Sequence, residues 1–306
     1  MRIGLFAGTT PETSFGLKEL VAFARDVEAR GFDSLWLPNI FGMDAVGSCA
    51  IAGWETDRIE LGTAVTPTYP RHPAALAQQV MTTQLACDGR FALGIGLSHQ
   101  MVIEGMFGMS YEKPARHMAE YLEIIAPLLR GEAVDYAGEQ LTARLALDVP
   151  ETAPVPLLVA ALGPAMLKLA GAHADGTTTW MTGPKTIEEH IAPNINVAAA
   201  EAGRPAPRIV CGLPICLTDD ADTAREHIAK GLQIYGMLPS YRAMLDREGV
   251  AGPAELSIVG DEATLRAAIA RLRDVGVTDF NAAIIGAGGG NVDATLDLLQ
   301  SELDAA

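Results

Sequence analysis

The sequence predicts an α/β protein, a (β/α)8 TIM barrel with insertions, and three observations predict it. Short apolar runs alternate eight times with amphipathic helical stretches along the 306 residues. That order pairs strands in parallel through right-handed crossovers. The apolar runs are mostly continuous rather than alternating, as strands buried on both faces should be. Third, the G-x-G-x-x-G fingerprint of a dinucleotide fold does not follow the first strand, which disfavours the competing arrangement, an open doubly wound sheet. Length alone would allow two small domains, but eight strands in this order fit one barrel domain over residues 1–306.

The elements follow in order. The first strand is 2–7, and the start of the chain reads as that strand rather than as a signal peptide, because its apolar stretch is too short. After a polar loop, Ser14 is the expected cap of a helix to about Arg30, whose Leu17, Leu20, Val21, Ala24 and Val27 recur at threes and fours. Gly31 closes it. The second strand, 33–37, is ended by Pro38. A short helix covers 44–55, the third strand 59–65, and a helix 74–87. Residues 91–95 form the fourth strand, with a helix at 113–130 after a loop. An insertion, 131–156, holds a hairpin about Ala137-Gly138. Strand five is 157–160, and Pro164 opens a helix to 173, its fixed φ suiting the first turn. Strand six is 177–181, a helix spans 185–202, and strand seven is 209–217. A helical segment, 220–248, breaks near Pro239. Asp261 caps a helix at 262–275, strand eight is 279–285, and the last helix is 291–303.

Hydrophobic residues make up 49 % and charged residues 20 % of the chain, a balance that fits a buried core and excludes general disorder. No apolar run approaches the roughly 18–20 residues of a membrane span, so a soluble, cytoplasmic protein is expected. A net charge of −16 argues against nucleic acid and anionic membrane as partners and leaves a small-molecule substrate. Cys49, Cys87, Cys211 and Cys216 form no C-x-x-C pair, so neither a zinc ribbon nor a thioredoxin-type site is signalled. Cys211 and Cys216 fall in a buried strand, where the thiol acts as a small hydrophobe. No metal is expected.

In a barrel the residues after each strand share one mouth. Here they are Pro38-Asn39-Ile40, then Gly62 to Pro67, then Gly96, Leu97, Ser98 and His99. Ala160 to Pro164 and Trp180 to Gly183 complete the ring. This lining is small and uncharged, with scattered hydroxyls and amides, and suits a flat aromatic ligand better than hydrolytic acid–base work. Gly96 lets a ligand approach the backbone, since no Cβ stands in the way. An anionic tail has two places to go: the helix N-termini at Gly163-Pro164 and Gly183-Pro184, and the run Gly286-Ala287-Gly288-Gly289-Gly290 after strand eight. Arg71, His72, Lys168 and Lys185 are the nearest cations in sequence. His99 is the candidate proton donor, against the plainer reading of a satisfied turn residue, and Glu12 is a second acid–base candidate. Trp180 and Tyr69 are expected to wall the substrate space, shaped further by insertions near 101–112 and 236–258.

With these residues in place, the chain resembles the bacterial luciferase-like superfamily of flavin and deazaflavin oxidoreductases, most closely its coenzyme F420 branch. The motifs that carry the resemblance are LWLPNIF, GTAVTPTYPRHP, GRFALGIGLSHQ, EYLEIIAPLLRG, AALGPAMLKLAG and GVTDFN, in that order. It implies a mouth that binds an isoalloxazine-like ring, backed by a non-prolyl cis peptide matching Ala64–Val65. The implied cofactor contacts are Asn39, Ala64, Val65, Thr66, Gly96, Leu97, Ser98, Ala161, Leu162, Gly163, Pro164 and Thr182. Sugar-phosphate dehydrogenases of this branch carry Asp-His at the end of strand two, where Asn39-Ile40 stands here, so sugar-phosphate oxidation is not implied. His99 falls where those relatives often have a carboxylic acid. The implied reaction is hydride transfer between coenzyme F420 and an activated alkene, imine or carbonyl, with His99 supplying the proton. Two alternatives stay open: a flavin mononucleotide (FMN)-dependent monooxygenase, and a non-catalytic coenzyme-binding barrel. Relatives commonly form homodimers, and helices 73–87 and 118–129 offer apolar faces for one.

Overall fold

A computed structural model describes residues 1–8, 15–286 and 288–303. The first half comprises β1 (Arg2–Phe6), α1 (Leu17–Ala29), β2 (Ser34–Leu37), α2 (Ala45–Trp54), β3 (Glu60–Thr63), β4 (Thr66–Pro67), α3 (Pro73–Ala86), β5 (Phe91–Gly96) and α4 (Gln100–Ile103). Next come α5 (Pro114–Leu129), a hairpin of β6 (Val134–Ala137) and β7 (Thr142–Leu145), β8 (Leu157–Val159), α6 (Pro164–His173) and β9 (Gly176–Trp180). There follow α7 (Pro184–Thr186), a π-helical turn Ile187–Ile191, α8 (Ala192–Glu201), β10 (Arg208–Leu217), α9 (Ala221–Gly231), α10 (Gln233–Met237) and α11 (Pro239–Glu248). The chain ends with α12 (Pro253–Leu256), β11 (Ile258–Gly260), α13 (Glu262–Asp274), β12 (Asp279–Ile284) and α14 (Val292–Ser301). Eight parallel strands run β12-β1-β2-β3-β5-β8-β9-β10, and β10 pairs with β12, which closes the barrel that the sequence predicts.

Side chains alternate across each strand, so one set fills the barrel and the other packs under the helices. Phe6, Trp36, Ala92, Leu158, Val210 and Ala283 make one packed inner layer. Trp36 is large enough to dictate its neighbours: a Cβ on Gly62 would lie 2.4 Å from its ring. Below it, at the amino ends of the strands, Arg208 Nη2 bonds Glu60 at 2.8 Å and Asp279 at 2.6 Å, and Arg2 reaches Glu60 at 3.1 Å. Burial alone would lower the Arg208 pKa, but the hydrogen bonds to Glu60 and Asp279 outweigh it and raise it. Outside, Leu20, Ala24 and Val27 of α1 and their counterparts on the other helices complete the core.

The third strand ends earlier than its expected span: it stops at Thr63, and pairing resumes as β4 beside Ile95 and Gly96. Between them the Ala64–Val65 peptide is cis, as the resemblance implies. Across the gap Thr63 Oγ1 accepts from the Gly94 N–H at 3.0 Å and donates to the Gly94 carbonyl at 2.8 Å. The helix expected over 185–202 is three pieces. Pro193 has no N–H to give to the preceding turn, and a π-helical turn lies just before it. The 220–248 segment breaks twice, at Leu232 and at Leu238, the latter held extended by Pro239. Three-residue β11, pairing with the end of β10, is too short to leave a period in the sequence. Ser14 lies outside the described residues, and Gly16 holds the N-cap position of α1 without a side-chain bond.

The hairpin forms about Ala137-Gly138 as expected. Its turn is held by Glu120, whose carboxylate accepts the N–H groups of Glu139, Gln140 and Leu141 at 2.8–2.9 Å. Burial would raise the Glu120 pKa, and those three bonds lower it instead. The apolar side of α5 offered for a second copy is buried within the chain at Met118, Leu122 and Ile125, whereas Leu85 of α3 is exposed. All four cysteines are buried. Among the described residues no helix is long and apolar enough to cross a membrane.

Candidate active site at the carboxyl ends of the strands

Two adjoining cavities open at the carboxyl ends of the strands, one of about 440 Å³ and one of about 220 Å³. They share Phe6, Ala64, Val65, Ser98, His99, Trp180 and Tyr241, so they are two lobes of one cleft. Six of the seven shared residues stand where a strand gives out: Phe6 at the end of β1, Ala64 and Val65 in the break after β3, Ser98 and His99 after β5, Trp180 at the end of β9. Tyr241 comes from α11. Glycines make room for the wall, since a Cβ on Gly96 would lie 2.5 Å from Val65 and one on Gly94 2.0 Å from the Thr63 carbonyl.

Ser98 has φ +59°, a left-handed conformation uncommon outside glycine. Its carbonyl accepts the Tyr111 hydroxyl at 3.3 Å. His99 follows as the N-cap residue of α4, its ring 5.8 Å from that of Tyr241. From there Tyr235, Trp180 and Phe6 continue a chain of ring contacts at 5.0, 6.0 and 5.3 Å. Burial lowers the His99 pKa below 6.5, which leaves the imidazole mostly neutral at pH 7. Burial also raises the phenols of Tyr111, Tyr235 and Tyr241, so each keeps its proton to donate.

Among the residues singled out from sequence, Asn39, Ala64, Val65, Ser98, His99 and the expected wall residue Trp180 line the larger lobe. Gly96, Leu97, Leu162 and Gly163 line the smaller. Asn39 is already engaged: its Oδ1 accepts from the Ala45 N–H at 3.0 Å and from Arg71 at 3.4 Å. Four implied contacts line neither lobe. Thr66, Ala161 and Thr182 are fully buried, and Pro164 is exposed. The Ala161 N–H and the Thr182 hydroxyl bond to the protein, at Thr177 Oγ1 (3.3 Å) and the Trp180 carbonyl (3.3 Å). Glu12 lies outside the described residues.

Three expectations are corrected. Tyr69 is not a wall of the cleft: its ring stacks on His117 at 3.9 Å and on Tyr111 at 5.2 Å, and burial pushes its hydroxyl up to about 12. The helix N-terminus at Gly183-Pro184 is not open to an anion, because Glu248 occupies it. That carboxylate accepts from the Lys185 N–H at 3.1 Å, the Thr186 N–H at 2.8 Å and the Thr186 hydroxyl at 2.6 Å. The glycine run after β12 borders neither lobe; a Cβ on Gly288 would lie 3.0 Å from Ala224 Cα on α9, and Ala287 lies outside the described residues.

The N-terminus of α6 does border the smaller lobe, with Gly163 at its N-cap and no capping side chain. A second uncapped N-terminus, that of α11, meets it there through Ser240 and Tyr241. Of the cations, Arg71 is paired with Asp44 at 2.7 Å. His72 caps α3 through the Ala74 N–H and lies 3.1 Å from the Thr142 carbonyl. Lys168 and Lys185 line neither lobe.

Sequence reasoning missed Phe6 and the side chains of two insertions: Met101, Val102, Met106 and Phe107 after β5, and Ile234, Tyr235, Leu238 and Tyr241 on α10 and α11. Phe6 had a signal, the inward alternation with Gly4. The insertions had none beyond their position. Among the described residues no cluster of His, Cys, Asp or Glu is placed to hold a metal ion.

The luciferase-like monooxygenase family profile matches residues 1–279. A 5,10-methylenetetrahydromethanopterin reductase of Archaeoglobus fulgidus is 32 % identical over 239 residues, covering 77 % of this chain and 71 % of that one. An F420-dependent glucose-6-phosphate dehydrogenase of Microbacterium testaceum is 32 % identical over 230 residues, 69 % of this chain and 68 % of its own. Among solved structures, an F420-dependent secondary alcohol dehydrogenase bound to an F420-acetone adduct superposes with a TM-score of 0.81 at 20 % identity, over 99 % of this chain and 98 % of that one.

Proposed function

The chain belongs to the luciferase-like monooxygenase family, and from that premise we propose that it is a coenzyme F420-dependent oxidoreductase. It would move a hydride between the deazaflavin and a small organic substrate, an activated alkene, imine or carbonyl. The observation that carries this reading is the two-lobed cleft, whose described lining holds no carboxylate and no Lys or Arg. A planar, uncharged heterocycle suits such a wall, and hydrolytic acid–base chemistry has no groups to work with there.

The residues fit the coenzyme on their own chemistry. Ala64, Val65, Gly96 and Leu97 offer a small, flat surface, and the Ser98 hydroxyl and nearby amides can bond ring heteroatoms. The two uncapped helix N-termini at the smaller lobe suit an anionic tail. When bound, the deazaflavin supplies a two-electron hydride carrier. The protein's share is to hold the substrate against it, exclude water with the aromatic wall, and place a proton. His99, in both lobes, is the group we assign to that proton. Sugar-phosphate oxidation is not assigned: Asn39-Ile40 replaces the Asp-His pair, and the Asn39 oxygen is committed to Ala45 and Arg71.

Titration with oxidised deazaflavin and with FMN, each followed by its own absorbance, tests the reading. Deazaflavin is expected to bind at micromolar concentration or below, with FMN clearly weaker. The reverse order would assign the cleft to FMN and a monooxygenase reaction.

A further inference from the structure

We propose that the larger lobe selects an uncharged, largely apolar substrate and rejects phosphates and carboxylates. The inference rests on the cleft being a joint coenzyme and substrate site. Three segments supply its outer wall. Ile40 and Phe41 follow β2, Met101, Met106 and Phe107 follow β5, and Ile234 belongs to α10. All six are exposed, from Phe41 at 62 % to Ile234 at 42 %, and the Phe41 and Phe107 rings meet edge to face at 6.5 Å. Large apolar side chains gathered in the open around one cavity signal a ligand that covers them.

The polar inventory of this lobe points the same way. It offers the hydroxyls of Ser98, Tyr235 and Tyr241, the Asn39 amide, the Trp180 indole N–H and the His99 imidazole, enough to bond an oxygen or two but without fixed positive charge. The guanidinium that reaches Asn39, that of Arg71, is taken up by Asp44. Nor do the segments outside the described residues hold a cation in reserve. By sequence they read Thr-Thr-Pro-Glu-Thr-Ser at 9–14, Ala287, and Asp-Ala-Ala at the end. An anion entering this lobe would lose its hydration without gaining a cationic partner. It would also approach against the field of a chain of net charge −16.

The experiment compares two probes that differ by one charge, methyl trans-cinnamate and trans-cinnamate, with glucose 6-phosphate as a polar anion. Calorimetric titration is done on the protein alone and with saturating oxidised deazaflavin. The ester is expected to bind at least about 20-fold tighter than the acid at pH 7.5, with the sugar phosphate weaker still. Met106→Lys, at an exposed position where the change is expected to leave the thermal midpoint in place, is expected to shrink that ratio at least about fivefold. Equal binding, a preference for either anion, no uptake of the ester, or a Met106→Lys ratio like the parent's would overturn the proposal. Absence of deazaflavin uptake with the ester preference intact would instead remove the coenzyme and leave the apolar selection standing.

Discussion

At His99 the sequence and the environment pull in different directions. The residue was legible because an apolar strand ends at Gly96 and polar groups follow at once. What burial does to it was not, because the ring's neighbour Tyr241 comes from a distant insertion with no period to read. Burial lowers the imidazole pKa below 6.5, so the cationic acid is a minority at pH 7 and grows as pH falls. Reduction of a substrate that takes its proton from His99 should therefore slow as pH rises through that lowered pKa. His99→Ala is expected to lose about 100-fold in turnover at pH 6 and to lose the pH slope with it. An unchanged profile in the variant would end the assignment. The same shift acts on stability. The unfolded imidazole titrates near 6.5 and the folded one below it, so the unfolded state binds the extra proton first. The contribution is complete above pH 6.5 and fades as pH falls through the folded pKa. His117, also lowered by burial, adds to that loss.

Among the elements, those with a long period were readable. The helices of the 17–29, 73–86, 114–129 and 262–274 segments lie where their apolar spacing put them. Asp261 caps its helix through the Thr264 N–H at 2.9 Å. Where tertiary contacts override the local pattern, the sequence ran on without a mark. In the run 59–65 the resemblance implies the cis bond at Ala64–Val65, but no local pattern marks the end of β3 at Thr63, whose side chain bonds Gly94 on the neighbouring strand. Likewise the occupant of the Gly183-Pro184 helix start, Glu248, sits 65 residues away in sequence order by its number, on α11. Gly94 shows how tightly the break is built, because any Cβ there would meet backbone, the Thr63 carbonyl at 2.0 Å. Backbone cannot swing aside as a side-chain tip can. Gly94→Ala should destabilise the protein by about 3 kcal/mol in urea unfolding and weaken deazaflavin binding, since Ala64 and Val65 move with Thr63. A variant with parental stability and affinity would mean that β3 and β5 yield more freely than this packing implies.

The barrel holds its four-strand ion cluster at one end and its uncharged cleft at the other. Eight alternations of strand and helix were enough to read the barrel and therefore to say which end carries the ligand. The ion cluster at the opposite end was not readable, because Arg2, Glu60, Arg208 and Asp279 come from four strands and meet only through closure. Trp36 separates the two ends, with the Arg208 guanidinium 5.9 Å from its ring. This division makes stability and binding separable. Arg208→Met removes the cation that compensates Asp279, whose side chain is 3 % exposed, and Glu60. It should cost about 3 kcal/mol in urea unfolding, because two neighbouring carboxylates are left with only the partly exposed Arg2 to compensate them. Removing the charges together, as Arg208→Met with Glu60→Gln and Asp279→Asn, should recover much of that loss. Deazaflavin affinity should stay within about twofold of the parent in both variants, measured where they are fully folded. A large loss of affinity with little loss of stability would show that the ion cluster and the cleft are coupled through Trp36, and that the barrel does not divide its work between its ends.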